Sequence, residues 1–111
     1  IRVFGAEPEI ANDTFLGLRA GCRVKICPPL TIADRLRAPT PGALTFPTVQ
    51  RYVDEIFLAS EEEIAGAVEF LRTRLKIVLE PRGALPAAIA LSKKLPVDVK
   101  KVGLIVSGGN V

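Results

Sequence analysis

No histidine, methionine or tryptophan occurs in the 111 residues, and cysteine appears only twice, at Cys22 and Cys27. Two thiols without a histidine do not make up the four ligands of a tetrahedral zinc site, so both are expected to be ordinary reduced thiols. The missing methionine, with Ile1 at the start, leads to the expectation of a longer or processed polypeptide. Long apolar runs are also missing. None approaches the roughly eighteen residues of a membrane span, and the first residues lack the basic-then-apolar layout of a secretory signal, so a soluble, cytoplasmic protein is expected, with no membrane partner. Blocks of like charge are absent as well: 15 basic and 12 acidic residues are dispersed to a net charge of +3. The basic pairs Lys93-Lys94 and Lys100-Lys101 have no aromatic residue interleaved on which a base could stack, which argues against nucleic acid as a partner.

What is present suits a packed globular fold. Hydrophobic residues make up 49% and charged residues 24% of the chain, and its length allows one ordinary domain over residues 1–111. Arg2–Ala6 reads as a strand closed by Pro8. Asn12 or Asp13 then caps a short helix carrying Phe15, Leu16 and Leu18, with Gly21 where a left-handed residue ends it. A second strand is expected at Arg23–Cys27, stopped by Pro28-Pro29, and Thr31 with Asp34 has the spacing of a capping pair before a helical turn. Ala38–Gly42, with two prolines and a glycine, is a loop; Thr45–Val53 reads as helix and Glu55–Ala59 as strand. Ser60 and Glu63 form a capping box ahead of Ile64, Ala67, Val68, Leu71 and Leu75, which share one helical face. Gly83–Lys93 is expected to be helical, and the continuous apolar run Val102–Val106 a strand buried on both faces. Short strands alternating with helices predict an α/β fold, a parallel sheet of roughly four strands flanked by helices.

In an open parallel sheet, ligands bind beyond the carboxyl ends of the strands, where loops and helix N-termini converge. Ser107-Gly108-Gly109-Asn110 follows the expected strand Val102–Val106 at that end. Taken alone it reads more readily as a turn, because glycine and asparagine tolerate positive φ.

The segment has company: Gly5-Ala6-Glu7-Pro8-Glu9, Thr31-Ile32-Ala33-Asp34, Phe46 with Tyr52-Val53-Asp54, Ser60-Glu61-Glu62-Glu63-Ile64, and Glu80-Pro81-Arg82-Gly83-Ala84. In this order and spacing these motifs resemble the threonine dehydratase (threonine ammonia-lyase) and serine racemase family of fold type II pyridoxal-phosphate enzymes. The resemblance covers nearly the whole chain and matches the C-terminal part of the catalytic region. It implies a partial large domain of tryptophan-synthase-β-like architecture, pyridoxal phosphate as cofactor, a small hydroxy amino acid as substrate and a homo-oligomer when complete. It further implies that Ser107 hydrogen-bonds the pyridine nitrogen, that Gly108 and Gly109 let backbone approach the ring, and that Glu80 lies on the cofactor side. A neutral hydroxyl at that nitrogen moderates the ring as an electron sink, which suits loss of a β-hydroxyl. Glu80 could equally stabilise the positive end of the following helix. A magnesium or calcium ion is implied at Glu7, the Ala11 carbonyl and Asp13; as residues alone, Asp13 could simply cap its helix and Glu7 be solvated. The chain departs from the family at Arg82, where a small residue is usual, and at Arg35, where glycine commonly follows Thr-Ile-Ala-Asp; both changes bear on substrate access.

The family's Schiff-base lysine and phosphate-cradling glycine loop precede the matched region, and Lys25, Lys76, Lys93, Lys94, Lys100 and Lys101 fit no position for that lysine. No catalytic residue is therefore expected within these 111 residues, and in isolation they are expected to be inactive. The function implied is a segment of a threonine or serine ammonia-lyase, which yields a 2-oxo acid and ammonia with the remainder of the catalytic chain. Serine racemisation is the alternative within the same site, and a non-catalytic remnant domain is the alternative of a different class.

Overall fold

The computed structural model describes residues 1–111. Strand β1 is Phe4–Pro8 and strand β2 is Glu55–Ala59, and the two pair in parallel with Phe4 opposite Glu55 and Pro8 opposite Ala59. Backbone bonds continue past both ends, from Asp54 N to Val3 O at 2.8 Å and from Glu9 N to Ala59 O at 2.9 Å. Gly5 lies against the Ile56 side chain, and a Cβ there would come within 2.9 Å of Ile56 Cγ1. The connection between the strands contains helix α1, Asp13–Ala20, a 3-10 turn at Asp34–Leu36 and helix α2, Phe46–Tyr52. Gly21 ends α1 with φ of 76°, the conformation expected for a glycine C-cap.

Helix α3, Glu61–Arg74, follows β2 directly, and the expected capping box is formed: Ser60 Oγ accepts from Glu63 N at 3.1 Å and Glu63 Oε2 accepts from Ser60 N at 3.0 Å. Its apolar face buries Ile64, Ala67 and Leu71, while Leu75, at the C-cap, lies exposed. Helix α4, Leu85–Leu91, packs on α3 and on both strands, so that Ala59, Ile64, Leu71, Leu85, Ala88 and Ile89 join one buried cluster. Burying a side chain such as Ile64 contributes about 1.5–3 kcal/mol, and this cluster is the centre of the fold.

Several expected elements take a different form. The first strand lies two residues later than expected, because the ladder with β2 selects Phe4–Pro8. The helix expected over Gly83–Lys93 divides into a 3-10 turn, Pro81–Ala84, and α4, since Pro86 lacks an N–H and fits only within a first helical turn. Thr31 does not pair with Asp34; its hydroxyl accepts from Ala33 N and donates to Glu61 Oε1 at 2.6 Å. Arg23–Cys27 and Val102–Val106 are not strands, and the sheet has two strands rather than four. The first makes one backbone bond, Ile26 N to Pro39 O, and the second is exposed throughout. A strand exists only through its neighbour's hydrogen bonds, and no segment of this chain supplies them here. No helix is long and apolar enough to cross a membrane.

Candidate functional site

The chain forms two clusters of charged residues, one at the end of β1 and one around Glu80. In the first, β1 delivers Glu7 to the start of α1, where its two carboxylate oxygens accept from Thr14 N at 3.3 Å and Phe15 N at 2.9 Å. Glu7, rather than Asn12, satisfies the orphan N–H groups of this helix, since Asn12 makes no side-chain cap. Asp13 is buried in the first turn. Burial pushes the Glu7 carboxyl above its ordinary value, the hydrogen bonds from Phe15 and Thr14 oppose the shift, and the neighbouring Asp13 charge adds to it. Burial likewise raises Asp13. Two partly desolvated carboxylates are thus held together without a cation from the chain, while the Ala11 carbonyl accepts no hydrogen bond from it. No group of three or more acidic, cysteine or histidine side chains is positioned to hold a metal, so a cation here would need that backbone oxygen and water. The three predicted metal residues, Glu7, Ala11 and Asp13, do converge: all line one cleft of about 320 Å³, together with Arg35, Phe46 and the loop Ala38–Gly42.

The second cluster joins segments distant in sequence. Glu80 N donates to Gly108 O at 2.7 Å, tying the residue ahead of the Pro81 turn to the Ser107-Gly108 turn. Gly108 has φ of 77°, and a Cβ on it would meet Glu80 Cβ at 3.2 Å. Gly83 packs directly on the Ser107 backbone; a Cβ there would stand 2.7 Å from the Ser107 carbonyl carbon and overlap its oxygen. Gly109 is under no such constraint, its nearest neighbour being Val78 O at 3.8 Å. Ser107 is exposed, and its hydroxyl has no hydrogen-bond partner in the chain. These predicted cofactor residues, Ser107, Gly108 and Glu80, therefore stand side by side, with Gly109 at the rim.

Glu80 does not cap the turn that follows it. Its carboxylate, only 12% exposed, lies 2.6 Å from Arg82 Nε through Oε2 and 3.5 Å from Arg35 Nη2 through Oε1. This grouping was not apparent from the sequence, although both arginines stood out as departures. The loop bearing Arg35 is itself clamped. Thr31 and Ala33 are fully buried, Glu61 accepts from Thr31 Oγ1 and from Ile32 N at 2.7 Å, and Arg37 donates twice to Thr31 O. Sequence reasoning placed Glu61 only within a helix start; its side-chain reach to the preceding loop has no local signature.

The family described as pyridoxal-phosphate dependent enzyme matches residues 1–108. An L-threo-3-hydroxyaspartate ammonia-lyase of Saccharomyces cerevisiae is 43% identical over 99% of this chain and 34% of its own length. The crystal structure of a T.th. threonine deaminase superposes with a TM-score of 0.91 at 42% identity, covering 99% of this chain and 40% of that one. Maize serine racemase superposes with a TM-score of 0.92 at 38% identity, covering 100% of this chain and 35% of that one. The chain spans about a third of the length of the curated relatives it matches. The fold these structures share with the chain is that of fold type II enzymes. With that match over nearly every residue, and with the Glu80 and Ser107 segments held face to face, the chain belongs to the pyridoxal-phosphate dependent enzyme family.

Proposed function

We propose that residues 1–111 are part of the catalytic domain of an ammonia-lyase that converts threonine or serine to a 2-oxo acid and ammonia. The observation that carries this reading is the joining of Glu80 to the Ser107-Gly108 turn by the 2.7 Å backbone bond. Bound pyridoxal phosphate would supply an electron sink for charge developing at the substrate α-carbon. Ser107 would hold the pyridine nitrogen through its free hydroxyl, a neutral contact worth about 0.5–1.5 kcal/mol that leaves the ring a moderate acceptor. The glycine at 108 keeps the approach to Glu80 open, and the packing of Gly83 fixes the height of the Ser107 backbone. The base that takes the α-proton is assigned to a lysine outside these residues.

The full-length protein should release 2-oxo acid from L-threonine or L-serine, as followed by absorbance of the keto product. Failure with both amino acids would remove threonine and serine as its substrates. The likeness to maize serine racemase favours serine racemisation as the second reading. Chiral chromatography of the serine pool separates the two, since racemisation yields D-serine without consuming the amino acid.

We further propose a magnesium or calcium ion at Glu7, the Ala11 carbonyl and Asp13, with water completing its shell. All donors are oxygen, as these hard ions prefer, and the charge would relieve two carboxylates whose ionisation burial opposes. Such an ion would fasten the end of β1 to the start of α1 without entering the reaction.

A further inference from the structure

We infer that Arg35 and Arg82 form an anion subsite which selects a substrate with a second carboxylate, a 3-hydroxy dicarboxylic amino acid, over the neutral threonine and serine. The inference deepens the ammonia-lyase reading and rests on it for the location of the reacting centre. Two guanidinium groups share the single carboxylate of Glu80, so one positive charge at the cluster is uncompensated. Donors are uncompensated too. Arg82 spends only Nε on Glu80, and its Nη groups donate to nothing in the chain. Arg35 approaches Glu80 at 3.5 Å without donating any hydrogen bond, and it makes no ion pair with the adjacent Asp34.

Arg82 is the more firmly held of the two, with 34% of its side chain exposed against 55% for Arg35. Arg82 is tethered to a carboxylate that is 12% exposed, next to the Gly108 turn. Arg35 sits on the loop locked by the buried Thr31 and by Glu61, and it lines the 320 Å³ cleft. The Arg82 fork, fixed through its Nε bond to Glu80, suits bidentate capture of a carboxylate, and that preorganisation lowers the entropy lost on binding, while Arg35 adds a second positive charge beside it. A neutral methyl or hydrogen at the same substrate position would leave those donors facing water or each other.

The test uses the full-length holoenzyme and compares kcat/KM for 3-hydroxyaspartate with that for threonine and serine. The parent should favour the dicarboxylic substrate, and in Arg82→Gln and Arg35→Gln the ratio should fall at least tenfold, with most of the change in KM. Equilibrium binding supplies a readout independent of turnover: succinate should raise the melting temperature of the parent more than butyrate does, and the difference should vanish in both variants. A ratio that stays fixed while all substrates suffer equally would overturn the inference, because the arginines would then hold only Glu80 or a carboxylate common to every amino acid. If the parent turns over no hydroxy amino acid, the ammonia-lyase reading fails, and the succinate and butyrate pair alone then decides whether the anion subsite exists.

Discussion

The two charged clusters of this chain are unbalanced in opposite senses. Around Glu7 and Asp13, two carboxylates are drawn out of water with only helix N–H groups and an unused carbonyl for company. Around Glu80, two guanidiniums converge on one carboxylate. As proposed, the first arrangement would take a cation and the second an anion, although Arg35 and the acidic pair line the same cleft. The supports also differ. The acidic pair, two residues six positions apart, is placed by the junction of β1 with α1, whereas the basic cluster depends on backbone contact between segments far apart in sequence. Charge imbalance therefore points to ligand class, and the kind of support points to which substitution will break each site.

The largest expected effect is on the supporting backbone of the basic cluster. Gly83→Ala would drive a methyl group into the Ser107 carbonyl, where neither backbone segment can yield cheaply, and should destabilise the full-length protein by about 2–4 kcal/mol, read from its denaturation midpoint. A near-neutral result would show that the basic cluster is as loosely held as a surface loop.

Next comes the acidic pair. Asp13→Asn should weaken calcium or magnesium binding at least tenfold by calorimetry, about 1.4 kcal/mol, and should leave the metal-free protein no less stable because it removes a desolvated charge. Unchanged affinity would reduce Asp13 to a helix-terminal residue. The pH dependence has a definite sign. Glu7 and Asp13 titrate above 4.5 and 3.8, their ordinary values, so their contribution to metal-free stability is full below those values and is lost as pH rises through the raised ones. Cation affinity should run the other way, strengthening over the same rise as the carboxylates ionise, and calorimetric titrations at stepped pH would show it.

A balanced pair elsewhere serves as the control. Lys94 Nζ donates to Glu63 Oε2 at 2.7 Å and to Leu58 O at 2.6 Å, tying the C-terminal side of α4 to the capped start of α3. The hydrogen bond from Lys94 lowers the Glu63 carboxyl, with the Ser60 backbone bond assisting. This contribution is present above 4.5 and is lost as pH falls through the depressed value. Lys94→Ala should cost about 1–2 kcal/mol at neutral pH and less in acid, as judged from unfolding curves at both conditions. The smallest expected effect belongs to Gly109→Ala, within about 0.5 kcal/mol, since only Val78 O lies near the added methyl group.

Legibility in the sequence followed the range of the interactions. The Ser60-Glu63 box, the Gly21 cap and β2 could be read from a few neighbouring residues, and they occur where expected. Arg23–Cys27 and Val102–Val106 could not, because apolar content reports burial whereas a strand requires a hydrogen-bonded partner. The convergence of Glu7, Ala11 and Asp13, and of Glu80 with Ser107, was accessible only through resemblance. The arginine contacts to Glu80 escaped even that. They depend on side chains reaching between loops, for which periodicity and capping rules carry no information.

The parallel pairing of β1 with β2 also has a consequence in time. Val3 and Asp54, bonded at the beginning of this ladder, are 51 residues apart in the chain. At ribosomal rates of about 5–20 residues per second, β1 waits several seconds for the segment that completes it. Throughout that interval both edges of the nascent strand remain open to other chains, and closing so long a loop carries an entropic cost that local helices never meet. Pro8, at the end of β1, withholds one backbone donor from any wrong partner that arrives before β2.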